Sequence, residues 1–201
     1  LPIYSNAQVI QAEPLEIATS APISFSSMPN INKSTTPLSY TFSMDILVQN
    51  YATTWRNIMT NGTVDNGTTN SRRPAIFLSG VRADFGDNKN VLLIVHGTST
   101  DNNPYIYSRY KIPLQQWFNL TFSVSNNVMT VYFNGMQDNG ITGGTFDWGT
   151  VVDGSWKWNM QDYIENKNGS IKVSNVYFWP TALTDSQLGD RKSTRLNSSH
   201  T

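Results

Sequence analysis

The chain has 201 residues, with 14 basic and 14 acidic side chains, so there is no surplus of positive charge for binding phosphates. This balance argues against nucleic acid as the main partner. Cysteine is absent, which excludes disulfides, thiolate catalysis and cysteine-ligated zinc. No apolar run approaches the length that crosses a bilayer, so we expect no membrane insertion by this chain, and the length suits a single all-β domain.

The first part of the sequence combines a ragged start with one clear strand. Residues 1–20 have no sustained period, and we expect an irregular lead-in there. Residues 21–31 can supply only an edge strand, because Pro22 and Pro29 have no amide proton to offer a neighbouring strand. Residues 40–48 alternate between apolar and polar side chains, which predicts a strand with one buried face.

Shorter segments follow, each bounded by turn-forming residues. Residues 55–62 are predicted as a strand that ends in a turn, whereas residues 64–73 are polar and are predicted as a surface loop. The apolar runs at 74–78 and 91–95 are short and lie between Gly, Asn and Asp, as expected for strands buried in a sandwich. Residues 105–111 then lead into the next strand.

The most informative segment is residues 112–135, which we interpret as an antiparallel hairpin with the turn that follows it. Two runs of alternating apolar and polar residues flank a polar turn at residues 125–127. Asn134 and Gly135 form the dipeptide that best tolerates positive φ at both central positions of a tight turn, so a third strand should fold back there. The residues expected to face the interior are Phe118, Leu120, Phe122, Val124, Met129, Val131 and Phe133.

Glycine and tryptophan dominate the region after the hairpin. Residues 136–168 are predicted to be mostly loop, with at least one strand around Trp156 and Trp158. These two tryptophans are two positions apart and share a face of that strand, so we expect them to fill the core. Trp117 and Trp179 are also expected to be structural.

Residues 169–188 contain the last strand and the start of a helix. Thr184, with Gln187 three positions later, forms a capping-box pattern that predicts a short helix beginning at Thr184. About ten short strands separated by turns predict an all-β fold, namely a two-sheet antiparallel jelly-roll sandwich with this short C-terminal helix. The apolar residues of the last strand are Ile171, Val173, Val176 and Phe178.

Two of these segments resemble one family. The hairpin, with the Ile-Pro-x-x-x-Trp step before it and Asn-Gly after it, resembles the central hairpin of the laminin-G-like, or concanavalin A-like, lectin/glucanase superfamily. The end of the last strand looks like the closing strand of the same family. The positions that carry this second likeness are Trp179, Ala182, Leu183 and Thr184. The family often has an acidic pair inside the closing strand, where this chain has Ser174 and Asn175.

The resemblance implies a laminin-G-like jelly-roll domain at residues 21–189. Residues 73–76, the Ile-Pro step and the Asn-Gly turn are similar to versions of the domain carried by large DNA viruses, which implies an extracellular, virion or cell-surface setting. Acceptor triplets for N-glycosylation give weak support to that setting. They begin at Asn32, Asn61, Asn66, Asn119 and Asn168.

The C-terminal tail is interpreted separately. Residues 190–200 resemble one reading frame of a common short-read sequencing adapter over eleven consecutive positions, so we expect residues 190–201 not to be native. Without them the chain has 11 basic and 13 acidic residues. The first residue is not Met, and we expect the sequence to be a fragment of a metagenomic kind.

Hydrolytic chemistry has little support in the sequence. Concanavalin-like glucanases usually carry a Glu-x-Asp-x-Glu pattern on one strand, and a retaining glycosidase needs two neighbouring carboxylates. Here the glutamates are Glu13, Glu16 and Glu165, which form no such pattern. A Ser-His-Asp arrangement would have to use His96, since His200 belongs to the tail, and a structural role for His96 is favoured.

Two loop clusters offer oxygen ligands. Asp84 and Asp87 lie in one cluster and Asp101 in another, and calcium accepts such ligands together with backbone carbonyls. Asp/Asn-rich turns are also ordinary hairpin chemistry, so a calcium site and plain turns both stay open. We expect no other cofactor.

The glycine-rich loop holds the best candidates for contact with a ligand. Trp148 lies beside Asp147, and Asp153 follows five residues later. Sugars stack their apolar faces on aromatic rings while carboxylates hold the hydroxyls, so these three residues could form a site at the rim of the sandwich.

Together these patterns favour a non-catalytic module that binds carbohydrate or an extracellular protein surface through rim loops. The alternatives are a divergent glycoside hydrolase of the concanavalin-like type and a purely structural domain of a surface protein.

Overall fold

A computed structural model describes residues 6–17, 23–25, 39–50, 55–62, 71–80, 91–98, 104–146, 156–158 and 170–188. Within these residues the chain forms fourteen strands and one helical turn, α1, at residues 185–188. No helix in this part of the chain is long and apolar enough to span a membrane. The strands are β1 (Gln8–Gln11), β2 (Leu15–Glu16), β3 (Ile23–Ser24), β4 (Ser39–Val48), β5 (Arg56–Asn61), β6 (Ser71–Leu78), β7 (Leu92–Thr98), β8 (Tyr105–Arg109), β9 (Trp117–Ser125), β10 (Val128–Phe133), β11 (Met136–Asp138), β12 (Ile141–Gly143), β13 (Trp156–Trp158) and β14 (Ile171–Trp179).

The strands form two packed antiparallel sheets. Sheet 1 has the order β1-β14-β4-β9-β10-β11, with β2 also paired to β14, and sheet 2 has the order β12-β8-β7-β6-β5-β13-β3. The predicted all-β sandwich with a short C-terminal helix is confirmed. β3, which belongs to the segment predicted to supply only an edge strand, lies at the edge of sheet 2.

The hairpin folds as its residue pattern predicts. β9 and β10 pair from Ser125 opposite Val128 to Leu120 opposite Phe133, and β11 folds back onto β10. Asn134 has φ 51° and Gly135 has φ 77°, so both central residues of the second turn take the positive φ expected of Asn-Gly. A local sequence signal therefore fixes three consecutive strands of sheet 1.

Aromatic rings fill the core where the two sheets meet. Trp156 stacks on Phe42 with ring centroids 5.7 Å apart, and it packs against Tyr40 and Phe178 in T-shaped arrangements. Trp156 and Trp158 are both buried, which confirms their predicted place in the core.

The expectation that Trp117 would be as structural as Trp179 is wrong. Trp179 is buried, whereas the side chain of Trp117 is 41% exposed. The cause is strand alternation: Phe118 fills the interior, so its neighbour Trp117 at the start of β9 points away from sheet 2.

The irregular lead-in expected at residues 1–20 contains two strands. β1 and β2 pair with β14 and so occupy an edge of sheet 1 that would otherwise be open. Ile17, which follows β2, is buried and donates its amide to the carbonyl of Ile171. β1 has four residues and β2 has two, so neither strand is long enough to be recognised from an alternation of apolar and polar residues.

β6 starts earlier than predicted. It begins at Ser71, which pairs with Thr98, although residues 64–73 were expected to be loop. A shift of register between Arg72 and Ala75 accommodates Pro74 inside the sheet, because a bulge tolerates a residue that cannot donate to the ladder.

β14 contains a bulge that the spacing of its apolar residues already implies. Val173 and Val176 are both buried although they are three positions apart, which a regular strand does not allow. The register against β4 shifts between Ser174 and Tyr177, and Asn175 has φ 49°. The extra residue returns the later part of β14 to the core face.

The C-terminal segment covers part of the outer face of sheet 1, the face away from sheet 2. Thr41 donates to the carbonyl of Thr181 and accepts a hydrogen bond from the amide of Leu183, both at 2.8 Å. Ser123 donates to the carbonyl of Leu183. The hairpin was expected to bury one face, and this segment explains why hydroxyls on its other face are also buried.

The predicted capping box is confirmed. The amide of Thr184 donates to Oε1 of Gln187 at 2.9 Å, and the amide of Gln187 donates to Oγ1 of Thr184 at 3.3 Å. The α1 turn then places Asp185 where Tyr132 of β10 donates its hydroxyl to it. The pKa of the Tyr132 hydroxyl is raised mainly by burial, and the hydrogen bond to Asp185 raises it further.

A polar cluster closes the sandwich where β11 of sheet 1 meets β8 of sheet 2. Asp138 Oδ2 accepts hydrogen bonds from the Tyr107 hydroxyl at 2.5 Å and from Arg109 Nη1 at 2.7 Å. The Arg109 guanidinium also lies 3.8 Å from the ring centre of Phe133. Burial raises the pKa of Asp138, but the hydrogen bonds from Tyr107, Arg109 and the Gly140 amide outweigh it, so the net pKa lies below its ordinary value.

Replacing Asp138 with Asn should remove part of the acid sensitivity of the fold. A carboxyl whose pKa is lower in the folded state stabilises the protein above its unfolded pKa of about 3.9, and the contribution is lost as the pH falls through the folded value. We expect Asp138→Asn to cost about 1 kcal/mol at pH 7, reduced by partial exposure, and less at pH 2. Urea unfolding from pH 2 to 7 measures this, and parallel stability curves for the two proteins would contradict it.

Candidate functional site

The residues predicted to bind a ligand or calcium lie outside the described part of the chain. They therefore stay predictions, but the strand ends that flank their segments are described and show where those segments attach. These residues are Asp84, Asp87, Asp101, Asp147, Trp148 and Asp153.

Three of the long segments attach to the same end of sheet 2. Asn61 pairs with Trp156, and His96 pairs with Tyr105, so the end of β5, the start of β13, the end of β7 and the start of β8 lie together. Residues 63–70, 99–103 and 147–155 all leave from and return to this end. We call it the loop end, defined by Asn61, Thr98, Tyr105 and Trp156.

The two segments that carry the predicted calcium ligands attach to opposite ends of sheet 2. Leu78 at the end of β6 pairs with Leu92 at the start of β7, so the segment carrying Asp84 and Asp87 attaches to the far end. Asp101 belongs to a segment at the loop end. The length of β7, about 20 Å, separates the two attachment points.

Phe146 anchors the start of the segment that contains Asp147 and Trp148. Its ring stacks on His96 with centroids 3.9 Å apart and also contacts Tyr105 at 5.6 Å. His96 is fully buried, in agreement with the structural role favoured from the sequence. Among the residues that the structure describes, no group of three or more His, Cys, Asp or Glu side chains could hold a metal ion.

The other end of the same segment is anchored in the core. Trp156, the first described residue after position 155, is 2% exposed and is held between Phe42, Tyr40 and Phe178. The segment that carries the predicted sugar contacts therefore starts on a stacked Phe and ends on a buried Trp.

A second polar and aromatic surface lies on the outer face of sheet 1, and the sequence did not indicate it. Trp117 pairs with Leu47 of β4, and Asn119, two residues along β9, pairs with Asp45. Asn119 Nδ2 donates to Asp45 Oδ1 at 3.0 Å, and Asn175 Nδ2 donates to Asp45 Oδ2 at 2.9 Å. We call these five residues the Trp117 surface. The sequence did contain one usable signal: Phe118 was predicted to face the interior, so strand alternation would point its neighbour Trp117 outward.

The comparisons with known proteins give a fold and no family. No protein-family model matches the sequence, and no curated protein matches it. Among solved structures, the binding domain of botulinum neurotoxin DC in complex with rat synaptotagmin II is similar with a TM-score of 0.65 and 13% identity, covering 94% of this chain and 46% of that one. A structure of botulinum neurotoxin type C described as depending on two ganglioside molecules for cell entry has a TM-score of 0.64 and 12% identity, with 94% and 46% coverage.

A more distant neighbour is an enzyme. Trypanosoma rangeli sialidase has a TM-score of 0.57 and 13% identity, and the match covers 79% of this chain and 23% of that one. The chain thus spans less than half the length of each of these structures. They share a β-sandwich fold with it, and the finer likeness to laminin-G domains remains a prediction from the sequence.

Proposed function

We propose that this chain is a non-catalytic binding module that recognises carbohydrate through the segments at the loop end of sheet 2. The observation that carries the proposal is the shared attachment of residues 63–70, 99–103 and 147–155 to that end. Several loops at one end of a rigid sandwich are a common arrangement for ligand contact. One of these segments carries Trp148 between Asp147 and Asp153, which suits a sugar ring.

Two of the described carboxylates have structural partners. Asp138 is engaged by Tyr107 and Arg109, and Asp185 by Tyr132, in contacts that hold the fold together. The neighbours whose descriptions mention synaptotagmin and gangliosides are longer chains, of which this chain covers 46% each. They support the use of this fold as a recognition scaffold, in an extracellular or cell-surface setting, with a protein surface as the second candidate ligand.

A glycan array tests the proposal. We expect binding by the intact chain and at least tenfold weaker binding by Trp148→Ala, with Trp148→Phe intermediate because it keeps a stacking ring. Thermal unfolding of each variant serves as the control for folding, and Val128→Ala, a change at an exposed side chain, should bind as the parent does.

Two results would contradict this proposal. Hydrolysis of β-glucans that disappears in Asp147→Asn or Asp153→Asn would establish the glycosidase alternative. Absence of binding to every glycan, with unchanged properties in Trp148→Ala, would instead favour a structural domain.

A further inference from the structure

The Trp117 surface lies far from the loop end and has a fixed shape. Tyr40, at the start of β4, contacts Trp156 at the loop end, whereas Leu47, near the finish of β4, pairs with Trp117. Seven residues of strand, about 23 Å, separate the two positions. Because Trp117 lies on sheet 1 and the loop end on sheet 2, any ligand bound here occupies a different site from the one proposed above.

Trp117 is held on a strand and not on a loop. The segment before it is fixed where the amide of Gln115 donates to the carbonyl of Val48 at 2.8 Å, and Phe118 is buried directly after it. Trp117 is nevertheless 41% exposed. A large apolar ring that is presented to solvent from a rigid strand loses little freedom when a ligand stacks on it.

The neighbouring carboxylate is held in one orientation. Asp45 receives one amide on each oxygen, from Asn119 at 3.0 Å and from Asn175 at 2.9 Å, and the side chain remains partly exposed. Each carboxylate oxygen can accept more than one hydrogen bond, so an oriented and partly exposed carboxylate suits hydroxyl donors of a ligand.

The bulge in β14 places the second of these side-chain amides, that of Asn175, beside Asp45. In a regular strand the residue after Ser174 would point to the opposite face of the sheet, but the positive φ of Asn175 keeps its side chain on the outer face beside Asp45. Bulges of this kind often re-aim a side chain near a binding site. The backbone amide of Asn175 is itself fixed by the carbonyl of Ala12 at 3.1 Å.

The spacing of the surface matches one sugar ring. Trp117 and Asp45 are diagonal neighbours on adjacent strands, a separation of about 7 to 8 Å, and Asn119 is about 7 Å from Trp117 along β9. A pyranose ring stacked on the indole would bring its hydroxyls to the carboxylate and amides, with Leu47 extending the apolar floor. We propose that the Trp117 surface is a second binding site, which takes a neutral pyranose ring of a glycan.

The test follows the indole N–H signal of Trp117 by protein-observed NMR. The probes are neutral oligosaccharides of glucose, galactose, mannose and N-acetylglucosamine at up to about 10 mM, a range that detects millimolar affinity. We expect one of them to shift this signal. Affinity, measured for each variant from backbone amide signals near the site, should fall at least tenfold in Trp117→Ala. It should fall several-fold in Asn175→Gly, where glycine keeps the positive φ but removes the side-chain amide.

The outcomes separate this site from the loop end. Val128→Ala should bind as the parent does. A sugar that shifts the Trp117 signal equally in the parent and in Trp148→Ala supports the second site, whether or not the loop end binds a glycan. Sugar binding that depends on Trp148 alone overturns the second site and leaves the proposed function intact. No shift with any probe, or Trp117-dependent binding of a protein only, also overturns it.

Discussion

A chain that ends at Pro180 should lose about 5 kcal/mol of its free energy of unfolding relative to one that ends at Gly189. The missing residues include Leu183 and Leu188, which are 9% and 3% exposed and pack on the outer face of sheet 1. Burying one such side chain contributes about 1.5 to 3 kcal/mol, and the hydrogen bonds to Thr41 add to this.

The shortened chain should also expose aromatic surface that is now covered. Tyr132 and Trp179 form one buried cluster with the two leucines, and Tyr132 would lose Asp185 as acceptor of its hydroxyl. For a domain of this size we expect the melting temperature to fall by about 10 to 20 °C. Thermal and urea unfolding followed by tryptophan fluorescence measure both quantities.

A matched truncation and a point variant make this test specific. The chain ending at Gly189 lacks only the residues expected to be adapter-derived, and it should unfold at the same denaturant concentration as the full chain. Thr41→Val leaves the backbone partners at Thr181 and Leu183 without the hydroxyl and should cost about 2 kcal/mol. Equal stability of the chains ending at Pro180 and Gly189 would refute the covering role.

The parts of the fold that could be predicted are those with a local cause. Alternation over residues 117–133 and the Asn-Gly turn determine β9, β10 and the return of β11, since each feature acts within a few residues. The capping box of Thr184 and Gln187 is equally local. Such signals need no knowledge of the rest of the chain.

The parts that could not be predicted depend on distant partners. β1 and β2 are strands because β14 offers an open edge, about 160 positions later in the sequence. Trp117 was expected to be structural, yet it is 41% exposed, while Phe118 beside it is buried. Asn175 joins Asp45 only because of the bulge. The rim residues Trp148 and Asp153 stay predictions.

Replacing Trp156 with Ala should cost about 3 to 5 kcal/mol, the largest effect we expect from a single substitution. Trp156 is 2% exposed, stacks on Phe42 and packs against Tyr40 and Phe178 in T-shaped arrangements, so removal of the indole leaves a cavity between the two sheets. The substitution Trp156→Phe should cost far less. Its ring keeps part of the stacking, and the buried indole N–H has no hydrogen-bond partner among the described residues, a defect that phenylalanine removes.

The matched control is Trp117→Ala, which deletes the same side chain from an exposed position and should cost about 1 kcal/mol or less. Urea unfolding gives both values, and equal losses for the two variants would show that Trp156 does not organise the core. Trp156 also anchors the segment that carries Trp148. At temperatures where Trp156→Ala is still folded, its affinity for a glycan bound at the loop end should therefore fall, while Trp117→Ala should keep that affinity. The core and the proposed loop-end site would then be linked through a single buried ring.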